Sequence, residues 1–218
     1  VPSPLPFAAL LLVCLLSVCL TASAGEPAPP PPAREGKQLK VSVPKAPEPF
    51  RGSPHRIPGV VEAEDFDAGD ADAAYHDLTE ANEGADYRGQ TQVDIERRPD
   101  ASNGHGIGWT RAGEWLKYTV QATEPGAYTL EIPVASDNAG GRFRVEFDGK
   151  DVSGPVTVPD TGGWTKLQTI RIDGVRVPAG VSVMKVIMDA DGASGSVGDI
   201  DCFRFSRVKE SPASPKKP

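Results

Sequence analysis

From residue 115 onward the chain turns back on itself every few residues, and that cadence limits its fold more than any other feature. Trp115–Val120, Ala127–Ser136, Arg142–Phe147, Val156–Val158, Leu167–Ile172, Val181–Met188 and Ile200–Phe205 are short runs rich in β-branched and aromatic residues. Turn signals such as Glu124-Pro125-Gly126 and Asp148-Gly149 separate them. Arg142-Phe143-Arg144-Val145-Glu146-Phe147 alternates polar and apolar residues with a period of two, the pattern of a half-buried strand. Short strands at regular spacing, with turns between them, specify an all-β sandwich. Upstream, Val60–Phe66 reads as a first strand, with Glu62 and Glu64 on one face. Residues 67–85 read as irregular, Tyr87-Arg88 and Val93–Ile95 as short extended pieces, and 100–108 as a glycine-rich loop. No repeat recurs at a solenoid or propeller period. One domain is expected over 57–207.

The flanks have a different character. Residues 5–20 are an uncharged apolar run, and Ala22-Ser23-Ala24 behind it is a small-x-small cleavage pattern. Residues 1–24 therefore read as a signal peptide, although no Lys or Arg precedes the run and the first residue is Val. A membrane anchor is the rival reading, but the run is short for a span. Export would make the protein secreted, periplasmic or extracellular. Cys14 and Cys19 would leave with the peptide, so Cys202 remains alone and no intrachain disulfide forms. A lone cysteine in an apolar strand is expected as a small buried hydrophobe. Residues 25–56 are Pro-rich with few apolar residues, which predicts an extended linker. Residues 208–218 read as a disordered polar tail. The net charge of −7 argues against nucleic acid or an anionic membrane as partner.

Two tryptophans stand in glycine-flanked loops. Trp109 follows Gly108, and Trp164 follows Gly162-Gly163. A tryptophan displayed at a loop edge offers a face for stacking on the C–H side of a sugar ring, and it can equally plug a core. Trp115 lies inside a strand and reads as core. Two acidic pairs stand at the ends of the domain: Glu62 with Glu64, and Asp199 with Asp201. Like charges so close repel unless a cation or solvent lies between them. Such pairs also occur on solvated strand faces. An all-oxygen ligand set would suit calcium better than a transition metal.

These segments together resemble the family 6 carbohydrate-binding modules. Trp109-Thr110-Arg111-Ala112-Gly113-Glu114-Trp115-Leu116-Lys117-Tyr118 is similar to the family's aromatic-x-x-x-Gly-acidic-Trp-Leu-x-Tyr segment. Val158-Pro159-Asp160-Thr161-Gly162-Gly163-Trp164 is similar to its Val-Pro-Asn-Thr-Gly-Gly-Trp. Glu62-Ala63-Glu64-Asp65-Phe66 and Asp199-Ile200-Asp201-Cys202-Phe203 resemble its opening and closing motifs, and residues 75–96 resemble its long-loop version. The resemblance implies a jelly-roll, galactose-binding-like sandwich of two antiparallel sheets. It implies a sugar ring held between Trp109 and Trp164, each ring contributing on the order of 0.5–1.5 kcal/mol beyond area burial. Asp199 matches a position where the family usually carries Asn to hydrogen-bond the sugar. The departure matters because an amide both donates and accepts, whereas an ionised carboxylate only accepts. Glu114 is implied as a cleft-supporting acid. Glu62, Glu64 and Asp201 match the side-chain ligands of a structural calcium.

The implied ligand is a polysaccharide or oligosaccharide, of β-glycan, xylan or agarose-like type. The implied partners are glycoside hydrolases or the cell envelope, with the module a monomer. The family is non-catalytic, and the residues agree. No Gly-x-Ser-x-Gly elbow, phosphate loop or His-Glu-x-x-His motif is present. His55, His76 and His105 lie scattered in polar or glycine-rich stretches without ligand spacing. An alternative is an extracellular or envelope adhesion protein that grips a protein partner with the same loop face.

Overall fold

A computed structural model of the chain describes residues 45–84 and 87–208. The signal-peptide reading, the linker over 25–44 and the tail from 209 lie outside the described residues. Among those described, no helix forms, and none is therefore long and apolar enough to cross a membrane. The strands in chain order are β1 (His55–Ile57), β2 (Gly59–Glu62), β3 (Tyr75–His76), β4 (Ile95–Arg97), β5 (His105–Ile107), β6 (Trp115–Ala122) and β7 (Gly126–Ala135). They continue as β8 (Arg142–Phe147), β9 (Lys150–Asp151), β10 (Val156–Thr157), β11 (Gln168–Val177), β12 (Gly180–Ala190), β13 (Asp199–Ile200) and β14 (Cys202–Arg207).

They form the two sheets of a jelly-roll β-sandwich. One sheet runs β1-β6-β12-β8-β10, with β3 also paired to β6 and β9 to β8. The other runs β2-β14-β7-β13-β5-β4, with β11 on the far side of β7. The period-two alternation decides what each sheet buries. Leu116, Tyr118 and Val120 of β6, Phe143, Val145 and Phe147 of β8, and Met184, Val186 and Met188 of β12 face inward. They meet Leu130, Ile132, Phe203 and Phe205 from the opposite sheet. Rings interlock edge-on across the layers, Tyr118 with Phe203 at 5.7 Å and Phe147 with Phe205 at 6.0 Å between centroids. Cys202 is buried and in no disulfide, as its place in an apolar strand predicts.

The last strand is broken in two, and the break positions both acidic pairs. Asp199 and Ile200 pair with Ala135 and Val134, whereas Arg204 pairs with Glu131, one residue out of step. Pro133 sits opposite the discontinuity and has no N–H to give the ladder; its carbonyl accepts from Asp201 N at 3.0 Å. Asp201 thus stands in a bulge between β13 and β14.

Three sequence expectations change here. Residues 45–56 were expected to be linker, yet they lie against the sandwich. Glu48 and Ala68 form a β-bridge, Arg51 Nε donates to Asp65 Oδ2 at 2.7 Å, and β1 adds a parallel strand to β6. The Arg88 guanidinium is held between the rings of Phe50 and Phe66, 4.0 and 3.6 Å from their centroids. Trp115 is not in the core either. It lies on the outer face of β6, under the ammonium groups of Lys117 and Lys185 at 4.9 and 4.1 Å, with His76 stacked alongside. The first strand is also shorter than expected: it ends at Glu62, and Glu64 lies in the turn that follows.

Candidate functional site

At the loop end of the sandwich the chain leaves β5 at Ile107 and meets Gly108, whose amide donates to Asp94 O at 3.0 Å. Trp109 follows with φ of +49°, a left-handed conformation that is uncommon outside glycine. Thr110 holds it there. Its Oγ1 donates to Gly198 O at 2.7 Å, and its carbonyl accepts from Val197 N and Ser196 Oγ at 2.9 and 2.8 Å. With the backbone fixed on both sides, the Trp109 ring has nowhere to bury and stands 47% exposed.

Trp164 is set by a second loop, between β10 and β11. Thr161 anchors it: Thr161 N donates to Ser136 O at 3.1 Å, and Ser136 N donates to Thr161 Oγ1 at 2.9 Å. Gly162 and Gly163 take positive φ of 80° and 141°, which swings the chain so that Trp164 remains 36% exposed. The two tryptophans line one cleft of about 340 Å³, together with Glu96, Arg111, Ser194, Gly195, Ser196 and Asp199.

The cleft's acidic floor comes from two strands far apart in sequence. Glu96 lies on β4 and Asp199 on β13. Gly108 lets them approach: a Cβ there would stand 3.3 Å from Asp199 Oδ1 and 3.6 Å from Glu96 Cδ. Arg98, buried beneath, donates from Nη1 to Glu96 and to Asp199 Oδ2, the latter at 2.8 Å. Burial and the neighbouring Glu96 charge, opposed by Arg98, push the Asp199 carboxyl up to about 8. In its protonated form that group can donate as well as accept, as an amide does. Arg111 Nη1 donates to Gly195 O at 2.7 Å and closes one side of the cleft.

A second cluster lies where the first strand meets the last. Glu62 pairs in register with Cys202 on β14, and potential ligand atoms of Glu62, Asp201 and Cys202 all lie within 4.8 Å of one another. Ser102, from the β4–β5 connection, joins them. Its Oγ donates to Glu62 Oε2 at 2.5 Å, and its amide donates to Asp201 Oδ1 at 2.8 Å. Glu64 is fully buried, and its carboxyl oxygens make no well-formed hydrogen bond among the described residues, with only looser contacts to the Asn103 side chain and to its own backbone. Burial pushes its carboxyl up to about 7 and raises that of Glu62 too. A buried carboxylate so weakly served by donors is costly unless a cation sits against it. Burial also pushes the Cys202 thiol up to about 12, which leaves it a poor anionic ligand.

The structure therefore brings Trp109, Trp164 and Asp199 into one cleft, and Glu62 and Asp201 into one cluster. Glu114 joins neither. It is buried behind the Trp109 loop, accepting from Arg111 N at 2.8 Å and Leu78 N at 3.3 Å, and braces the loop without lining the cleft. Its carboxyl is pushed up to about 7 by burial. Glu96, Arg98 and Arg111 were not singled out from sequence. Arg111 and Glu96 lie within segments that resemble the family, at positions to which no role was attached, and no local pattern marks Arg98. The histidines take local roles: His55 against Asp65 O, His76 with Asp72, and His105 stacked on Tyr87.

Comparison with known proteins follows the same lines. The family described as carbohydrate binding module (family 6) matches residues 83–207. The chain is similar to the clotting factor G alpha subunit of Tachypleus tridentatus, 34% identical over 86 residues, which cover 38% of this chain and 13% of that one. It is also similar to β-agarase AgaA of Microbulbifer thermotolerans, 30% identical over 91 residues, 41% of this chain and 20% of that one. The matched regions are thus small parts of those relatives. Among solved structures it is similar to the carbohydrate-binding module CBM6cm-2 of Cellvibrio mixtus lichenase 5A in complex with cellotriose. The TM-score is 0.50 and the identity 25%, over 69% of this chain and 98% of that one. A β-1,3-glucan-binding family 6 module from Bacillus halodurans shares the fold, with a TM-score of 0.53 and 24% identity over 71% of this chain and all of that one. By the span of that family match, with the cleft and the sandwich alongside it, the chain belongs to the non-catalytic family 6 carbohydrate-binding modules.

Proposed function

We propose that the protein captures polysaccharide, of β-glycan, xylan or agarose-like type, by stacking a sugar ring between Trp109 and Trp164 over a floor of Glu96 and Asp199. The observation that carries this reading is the pairing of two exposed indoles with two carboxyl groups in one cleft. Apolar walls fit the C–H faces of a pyranose, and convergent polar groups fit its equatorial hydroxyls. The cellotriose complex of the Cellvibrio mixtus module and the match to a β-agarase support a glycan of this kind. Glu62, Glu64 and Asp201 would hold a calcium ion that joins the first strand to the last. Ligand atoms of Glu62 and Asp201 converge, and the buried, weakly hydrogen-bonded Glu64 carboxyl that feels the Glu62 charge would be relieved by a hard cation. Calcium would supply countercharge to buried carboxylates and take no part in sugar recognition. A cleft of this kind suits a module that works outside the cell beside a glycoside hydrolase or on the envelope, as a monomer.

The test is a pull-down of residues 25–218 on insoluble polysaccharides and a glycan array, with and without chelator. Capture by one glycan class, lost in Trp109→Ala and Trp164→Ala, is the expected result. A folded protein that captures no glycan overturns the reading.

A further inference from the structure

One residue at the cleft is unexplained by stacking or by the acidic floor alone. Arg98 is 3% exposed, and each of its five N–H groups has an acceptor. Nε donates to Asp100 Oδ1 at 3.3 Å, and Nη2 donates to Asp100 Oδ2 at 3.0 Å and to Trp164 O at 2.6 Å. Nη1 takes Asp199 Oδ2 at 2.8 Å and Glu96 Oε1. These acceptors belong to three separate parts of the fold: β4 and its following loop, β13, and the β10–β11 loop. Gly106 leaves the passage for the arginine stem, since a Cβ there would stand 3.0 Å from Arg98 Cδ and 3.0 Å from Ile200 O. The loop is tied to Ser136 by Thr161 and by the Gly163 amide at 3.3 Å. At Trp164 itself, among the described residues, the bond from Arg98 is the one that joins its backbone to the body of the sandwich.

We propose that Arg98 is the positioning residue of the cleft: one guanidinium sets the Glu96–Asp199 floor and latches the loop that carries Trp164. The proposal rests on the binding reading above. Wall and floor are then held in one geometry before the sugar arrives, so binding does not have to order the loop. The same contact explains why a carboxyl is tolerated at 199. A buried acid needs a partner, and Arg98 serves Oδ2. Lysine cannot substitute, because a single ammonium with three donors cannot span acceptors that a planar fork reaches on three sides.

Two variants test this, Arg98→Lys and the double variant Arg98→Gln/Asp199→Asn. Hydrogen exchange of peptides covering 159–167, read without sugar, is expected to speed up in both while the fold is retained. Affinity for the glycan that the wild type captures is expected to fall about tenfold or more in both, because a loosened loop must be ordered on binding. Wild-type exchange and affinity in Arg98→Lys overturn the proposal. Recovery of wild-type affinity in the double variant also overturns it, since Arg98 would then be only a counter-ion for Asp199. Unfolding of both variants overturns it as well, by making Arg98 a prop of the whole fold. If the wild type captures no glycan, the binding reading fails on its own, and the exchange measurement still decides the latch.

Discussion

Replacing Trp164 with alanine removes one wall of the cleft and leaves the core intact. A tryptophan presents up to about 250 Å² of surface, and with 36% of Trp164 open, roughly 90 Å² is available to a ligand. A pyranose lying on one face covers about 50–90 Å², which at about 25 cal/mol per Å² contributes roughly 1–2 kcal/mol. The stacking term adds about 0.5–1.5 kcal/mol. The sum, about 2–3 kcal/mol, corresponds to roughly a 30–150-fold loss of affinity. Titration of the captured oligosaccharide by calorimetry measures it, with circular dichroism and thermal melting as controls. A loss of less than about threefold, below 1 kcal/mol, with the fold retained would refute the stacking argument. Unfolding would return Trp164 to the core.

Chelation is expected to lower the melting temperature, by an amount that follows calcium's excess over its dissociation constant, about 2.7 kcal/mol at a hundredfold excess. Glu64→Gln should abolish most of that calcium response in a differential scanning measurement, and an unchanged response would remove Glu64 from the ligand set. Glu114 makes a pH prediction. Its folded-state pKa, about 7, lies above the ordinary 4.5, so the folded state binds the proton more tightly. The stability it contributes is complete below about 4.5 and is lost as pH rises through about 7, on the order of 3 kcal/mol. Glu114→Gln should flatten that part of the urea-denaturation profile, and a parallel profile would show the group does not titrate as described. Phe50→Ala, by stripping one ring from Arg88, should cost about 1–2 kcal/mol. A melting temperature equal to wild type would return residues 45–54 to the status of linker.

Much of this was legible in the sequence because it is local. Alternation marked β6, β8 and β12, and it placed Leu116 and Tyr118 on the face opposite Trp115 and Lys117. It did not say which face was the core, and the place of Trp115 inside a strand misled. Two lysines cover that ring, from β6 itself and from β12, and only sheet pairing brings Lys185 there. Trp109 and Trp164 were visible because glycines flank them. Arg98 was not, since its partner Asp199 lies 101 residues away and no local pattern can encode such a bond. β5 was read as loop because glycines at 104, 106 and 108 hide a short strand that is held by its neighbours β4 and β13. Glu64 stands in a turn where a straight strand was expected, because pairing with β14 stops at Glu62.

The broken final strand also sets a direction of attachment. Asp199 lies on the cleft floor opposite Ala135 at one end of β7, and Arg207 pairs with Tyr128 near the other end. Eight residues of strand at about 3.3 Å each separate the two by roughly 25 Å. A molecule docked through its cleft on a flat polysaccharide surface would therefore hold Arg207 away from that surface, on the far side of the sandwich. A probe or enzyme fused behind Arg207 would hang clear of the bound chain, with the whole domain as its spacer.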